Sequence, residues 1–368
     1  MSSLHSSTKL LAVAIVALVV AASLPITVQA QTSLNPIVVL YDASHLQQFD
    51  AFDEENGLKL MLDMVNSSTR YIVRVHDNGP INESVLEDVD ILIIADPDRS
   101  GEFEASEIEA ISDMMKNGSS LLVMGDPAID QNSTYWSEQP FTDLGDNIAV
   151  NRFLDALNIT GVRFSINATG EDRYWADSMF DYDHALNETY PQVIQLDSTT
   201  WDTSHPIFHD INELIVMTAT LKPIDTASAI AWGYDTSFAQ YRKGPFTFAN
   251  ISYPNMTLDE FKQKPLSYSA INGTYPPWLA AFEFEGSRVV VCGSTIMFTG
   301  RHLDLPESDE RSEQRWFYAA DNSRLFMNML DWLSTDFVEP PNAIYPMFLI
   351  SSFILLVGVA YYVFKKIR

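Results

Sequence analysis

Four short apolar runs constrain this chain more than any other feature: "IVVLYD" (37–42), "ILIIAD" (91–96), "LLVMGD" (121–126) and "RVVVCGS" (288–294). Each is rich in β-branched and aliphatic residues, too short for a long helix, and closes on an acid or a small polar residue. Runs of this kind read as strands buried on both faces. The segments between them carry helical spacing. Leu58, Met61, Leu62 and Val65 share one face, and so do Ile108, Ile111, Met114 and Met115, the second stripe ending at Asn117-Gly118. Strand and helix alternating at this distance predict a three-layer α/β fold, a mostly parallel sheet with helices on both faces. "WLAAFEFEGSRVVVCGS" reads as a hairpin around Glu285-Gly286-Ser287. A last helix places Leu325, Phe326, Met329, Leu330 and Leu333 on one stripe. The regular core covers about 36–126 and 205–335, and the stretch 127–204 is less regular.

The strand ends hold the candidate chemistry, since open α/β sheets place ligands outside the carboxyl ends of their strands. Asp42, Ser44 and His45 follow the first run, Asp96 and Asp126 end two others, and Ser294 follows the last. These six are the candidate ligand-binding residues, suited to a cation, a sugar or a peptide end. The rival is a surface hydrolase working on glycans or peptides through Asp42, His45 and Asp126, which requires the three side chains to meet within hydrogen-bonding reach. No catalytic residue is assigned. Cys292 is the only cysteine; it follows a valine run with glycine on one side only, so it reads as a small buried residue rather than a nucleophile. His205 and His209 are four apart, but Pro206 opposes a helical zinc pair. "GEDRYWADSMFDYDH" lacks the glycine turn and closing glutamate of a calcium loop and reads as a solvated acidic loop. No metal and no cofactor are expected.

The two ends suggest a location. Residues 1–30 have a basic residue, an apolar stretch and a small-x-small site at Val28-Gln29-Ala30, as a signal peptide does. "AIYPMFLISSFILLVGVAYYVF" (343–364) has no charge and would be about 33 Å long as a helix, enough for one C-terminal transmembrane span. Lys365, Lys366 and Arg368 in the tail 365–368 favour the cytoplasmic side. The expectation is a single-pass membrane protein whose residues 31–342 are extracytoplasmic. A net charge of −27 argues against nucleic-acid partners. Ten Asn-x-Ser/Thr sequons stand at Asn66, Asn82, Asn117, Asn132, Asn158, Asn167, Asn187, Asn250, Asn255 and Asn272. Chance would give about three, so a glycosylated surface is expected.

Taken in order, "IVVLYDASHLQQF", "DILIIADPDRSGEFEASEIEAISDMMKNGSSLLVMGD", "HPIFHDINEL" and "SRVVVCGSTIMFTG…DNSRLFMNMLDWL" resemble the GIFT-type domain. That module occurs in gliding-associated ABC-transporter proteins, in intraflagellar transport proteins and in the 48-kilodalton-class oligosaccharyltransferase subunit. The resemblance implies a flavodoxin-like, class I glutamine-amidotransferase-like sheet. Where such amidotransferases need an elbow cysteine, this chain has "VMGDP", which implies a member without catalysis. It further implies a non-enzymatic binding or assembly subunit of a membrane complex, oligosaccharyltransferase-accessory-like or ABC-transporter-auxiliary-like, with an integral-membrane protein as partner and a sugar or peptide as ligand.

Overall fold

Alternation along the buried runs decides the architecture. In the computed structural model, which describes residues 36–98, 100–127, 147–166, 174–187, 190–223, 228–243, 266–269, 275–303, 305 and 308–337, the strands are β1 (Ile37–Asp42), β2 (Tyr71–His76), β3 (Ile91–Ala95), β4 (Ser120–Met124), β5 (Val162–Phe164), β6 (Tyr174–Phe180), β7 (Ile194–Asp197), β8 (Glu213–Val216), β9 (Leu221–Pro223), β10 (Ala229–Trp232), β11 (Phe238–Lys243), β12 (Leu266–Ser269), β13 (Pro277–Phe284) and β14 (Ser287–Cys292). Seven of them form one mixed sheet in the order β10-β13-β14-β4-β3-β1-β2. The five strands from β14 to β2 run parallel, while β13 pairs antiparallel with both β14 and β10. The antiparallel edge comes from the hairpin. Its two-residue loop, Glu285 at φ 51° and Gly286 at φ 90°, has the left-handed pair that a tight turn matching strand twist requires. Small sheets β12-β11-β6, β5-β9 and β7-β8 are built from strands that fall between β4 and β13 in sequence.

Successive side chains of a strand point to opposite faces. Val39, Tyr41, Ile91, Ile93, Leu122, Met124, Val290 and Cys292 pack on one face with α1 (Lys59–Ser67) and with the last helix, Asn322–Leu333. Val38, Leu40, Leu92, Ile94, Leu121, Val123, Val289 and Val291 pack on the other with α2 (Ala105–Lys116) and α3 (Asn147–Ala156). The last helix is therefore α4. Helix α2 starts from a reciprocal capping box between Glu104 and Glu107.

Two expectations are corrected. Among the described residues no helix is long and apolar enough to cross a membrane. The longest, α2 and α4, have 12 residues. That is about 18 Å of helix against a hydrocarbon core of about 30 Å, and each keeps a polar face. The C-terminal transmembrane helix and the single-pass membrane localisation with an extracytoplasmic domain and a cytoplasmic tail are not carried further. The segment 343–364, the tail 365–368 and the signal-like residues 1–30 lie outside the described residues. The second correction concerns the acidic stretch at 171–184. It contributes strand β6, and Asp177 and Asp181 are buried rather than solvated. Of the sequons, Asn66, Asn82, Asn117 and Asn158 are exposed and Asn187 is half-buried. Asn132, Asn167, Asn250, Asn255 and Asn272 lie outside the described residues.

Gly293, at the carboxyl end of β14, shows how tightly the sheet edge is joined to the chain beside it. Its amide donates to Trp278 O, and its carbonyl accepts from Ala219 N. A Cβ there would stand 2.2 Å from Ala219 O. The Gly293→Ala substitution is expected to cost about 1–3 kcal/mol as overpacking against backbone, measured as a lowered denaturation midpoint with an unchanged slope.

Candidate functional site

The carboxyl ends of β1, β3, β4 and β14 hold all six candidate residues, in two separate groups. The first is a clamp at the end of β1. Asp42 is fully buried, and four groups reach its carboxylate. Ser44 N (3.0 Å) and Ser44 Oγ (2.7 Å) donate to Oδ1, while His45 Nδ1 (2.8 Å) and Gln47 Nε2 (2.7 Å) meet Oδ2. An Asp followed closely by Ser makes this local turn readily. The opposite ring nitrogen, His45 Nε2, lies 3.3 Å from Glu107 Oε1 and 3.4 Å from Oε2. The imidazole stacks on Phe103 with ring centres 3.8 Å apart.

Glu107 is itself anchored, accepting from Ile81 N at 2.7 Å and from Glu104 N at 2.8 Å. Both ring nitrogens of His45 therefore face carboxylates. Burial works against the imidazolium, but the hydrogen bond and charge of Asp42 and then the charge of Glu107 outweigh it, and the pKa is raised above 6.5. The result is a bridge between the β1 loop and the start of α2 that strengthens when His45 is protonated. Glu107 is the functional residue that sequence reading missed. Its only signal was the E-x-x-E spacing of a capping box.

The second group joins β3, β4 and the turn after β14. Asp96 directly follows β3 in the left-handed region, at φ 42°, a strained conformation for a residue with a side chain. It is 2% exposed. Its carboxyl lies near enough to that of Asp126 for the two to interact electrostatically. Asp126 is fully buried, and its Oδ1 accepts from Thr295 N (3.1 Å) and Ile296 N (3.0 Å), capping the short 3-10 turn Ile296–Phe298. Asn147 of α3 brackets the Asp126 backbone, accepting from its N–H and donating to its carbonyl. Ser294 is buried too, its hydroxyl accepting from Met297 N at 3.3 Å. Burial pushes the Asp126 carboxyl up to about 8, against the pull of its backbone hydrogen bonds. Two carboxyls in a dry place disfavour the ionised form, and Asp126 moves in that direction.

The three residues of the hydrolase reading do not assemble. Asp42 and His45 touch, but the Asp126 carboxylate accepts from Thr295 N and Ile296 N. Among the described residues no group of three His, Cys, Asp or Glu side chains is placed to hold a metal ion. Cys292 is fully buried, its thiol donates to Ser294 O at 3.4 Å, and burial pushes its pKa up to about 12. A thiol in that state is a poor nucleophile. His205 caps the 3-10 turn Pro206–Phe208, accepting from Ile207 N, so no helical metal pair forms with His209.

No protein-family model matches the chain, and no curated protein matches it. Among solved structures, a cytoplasmic protein from Salmonella typhimurium aligns at 12% identity and a TM-score of 0.39, over 81% of this chain and 98% of that one. A ThuA-like protein from Bacteroides uniformis aligns at 9% identity and 0.38, over 81% and 91%. Another from Parabacteroides merdae aligns at 10% and 0.39, over 83% and 94%. Likeness at these scores carries no argument about fold or activity.

Two variants separate the groups by pH. For Asp126 the folded pKa exceeds the unfolded 3.8, so its stabilisation is complete below pH 3.8 and is lost as pH rises through about 8. The Asp126→Asn amide imitates the protonated acid: its Oδ1 still accepts from Thr295 N and Ile296 N, and it has no charge to bury. Denaturant midpoints should match the parent at acid pH and exceed it at alkaline pH. A variant that weakens in parallel with the parent above pH 8 overturns the raised pKa of Asp126. For His45, whose pKa is also raised, the clamp is complete below 6.5 and is lost as pH rises through the folded value. His45→Gln should cost about 3 kcal/mol near pH 6, as breaking a buried pair does, and measurably less above pH 9.

Proposed function

We propose that this chain is a non-enzymatic binding and assembly subunit of a larger complex, as a GIFT-type resemblance implies. The observation that carries the reading is the state of the strand ends. Where a catalytic member of such a sheet would keep an accessible nucleophile and base, Asp42, His45, Asp96, Asp126 and Ser294 are all buried and engaged with other protein groups. The lone thiol is buried behind them. Such residues brace loops; they do not turn over substrate.

The braced loop supplies the contact surface. Between β1 and α1 it exposes two large apolar side chains, Leu46 at 63% and Phe52 at 61%. Leu46 also sits at φ 53°. A leucine in the left-handed region costs about 1–2 kcal/mol, and such strain persists where the surroundings impose it and collects at binding sites. Here the loop is held by the His45 clamp and by two backbone bonds to the β3 loop, Asp98 N to His45 O and Gln48 N to Asp96 O, both 3.2 Å. Ser44, half-buried at the loop's base, is the one strand-end candidate placed to meet a sugar or peptide ligand. An oligosaccharyltransferase-like and an ABC-transporter-like complex are both consistent with this role, and the identity of the partner decides between them.

The test is recovery of the protein from its native source under gentle conditions, with bound proteins identified by mass spectrometry. A stoichiometric partner is expected. Leu46→Asp with Phe52→Asp should abolish its recovery without lowering the melting temperature, while Leu46→Gly should leave stability unchanged or raise it by up to about 1 kcal/mol. Recovery of the protein alone, or full partner recovery by the double variant, would overturn the assignment.

A further inference from the structure

A second polar centre lies away from the strand ends of the large sheet, where β6 leaves the three-stranded sheet. Asp181 directly follows β6, is fully buried, and accepts five hydrogen bonds. Three go to Oδ1: from Asp183 N (2.9 Å), His184 N (3.0 Å) and His184 Nδ1 (3.1 Å). Two go to Oδ2, from the hydroxyls of Thr236 and Ser237, each at 2.7 Å. The His184 ring lies flat on Tyr234, ring centres 3.6 Å apart and 15° from parallel. Tyr234 is held in turn. Its hydroxyl accepts from Asp197 N at 3.0 Å and donates to Gln195 O at 3.2 Å.

These bonds settle the tautomer. Asp181 as a carboxylate can only accept, and the Thr236 hydroxyl already donates its proton to Asp181. Both groups within reach of His184 Nδ1 are therefore acceptors, Thr236 Oγ1 lying 3.3 Å away. Nδ1 must carry the proton, which leaves Nε2 of the neutral ring as a bare lone pair. The side chain is 35% exposed, and among the described residues Nε2 makes no hydrogen bond. An imidazole with one nitrogen fixed by a buried carboxylate and the other bare toward solvent is the arrangement used for proton acceptance.

We propose that Asp181 and His184 form a second functional site, independent of the strand-end loops. There Nε2 accepts a hydrogen bond from an O–H or N–H group of a small polar ligand. His184 is the contacting residue, and Asp181 and Tyr234 are positioning residues.

The full chain is examined by long-range ¹⁵N–¹H correlation at about pH 7.5, with diethyl pyrocarbonate as the chemical probe of bare imidazole nitrogens. His184 should show a protonated Nδ1 and an unprotonated Nε2. Mass-spectrometric mapping should find it modified roughly tenfold faster than the buried, clamped His45. Asp181→Asn should remove the tautomer preference. If that variant does not fold, Thr236→Ala and the parent spectrum still decide the matter. A ring protonated at Nε2, modification as slow as that of His45, or a preference unchanged in folded Asp181→Asn overturns the proposal. None of these outcomes depends on whether a partner is recovered through Leu46 and Phe52.

Discussion

A sheet covered on both faces leaves the polar ends of its strands inside the protein, and the rest of this structure answers that constraint. The parallel strands β1, β3, β4 and β14 end together under loops, so their terminal acids are removed from water along with the apolar residues before them. An unpaired carboxylate in such a place is strongly unfavourable. Each acid has to be given donors, a countercharge or a proton.

The two groups of acids use different means. At β1, Asp42 receives a histidine. His45 stands between Asp42 and Glu107, whose charges raise its pKa, and the same contact ties the first loop to the N-terminus of α2. At β3 and β4, no cation pairs with Asp126 among the described residues. Burial raises its pKa, and its Oδ1 organises the turn after β14. Both devices weaken as pH rises, so they make the strand-end region an acid-favoured structure. Both also use up the hydrogen-bonding capacity that a substrate would need, which is why the same residues argue for bracing and against catalysis.

Cys292 follows from the same geometry. Its position in β14, paired with Leu279 on one side and Met124 on the other, points its thiol into the layer shared with α1 and α4. Ser294, just past that strand end, is buried as well, and its hydroxyl is taken by Met297 N. The functional interest moves instead to side chains that the sheet leaves less constrained, Leu46 and Phe52 on the first loop and His184 beyond β6.

What the sequence determined by itself was local and periodic. Runs such as "ILIIA" and "RVVVC" form strands because both faces are buried, helix stripes such as Leu325 to Leu333 pack as their spacing requires, and Glu285-Gly286 turns the hairpin because glycine tolerates a positive φ. The placement of Asp42, Ser44 and His45 in one turn was legible for the same reason, being set within three residues. Tertiary structure alone decided the rest. Glu107 reaches His45 from 62 positions away and Asp126 caps Ile296 from 170, and no local pattern encodes which acid meets a histidine and which has its pKa raised by burial. The acidic stretch around β6 misled for that reason: its charges look solvated in sequence, yet Asp177 and Asp181 are buried against Thr220, Thr236 and Ser237, partners that lie 43 to 56 residues further on.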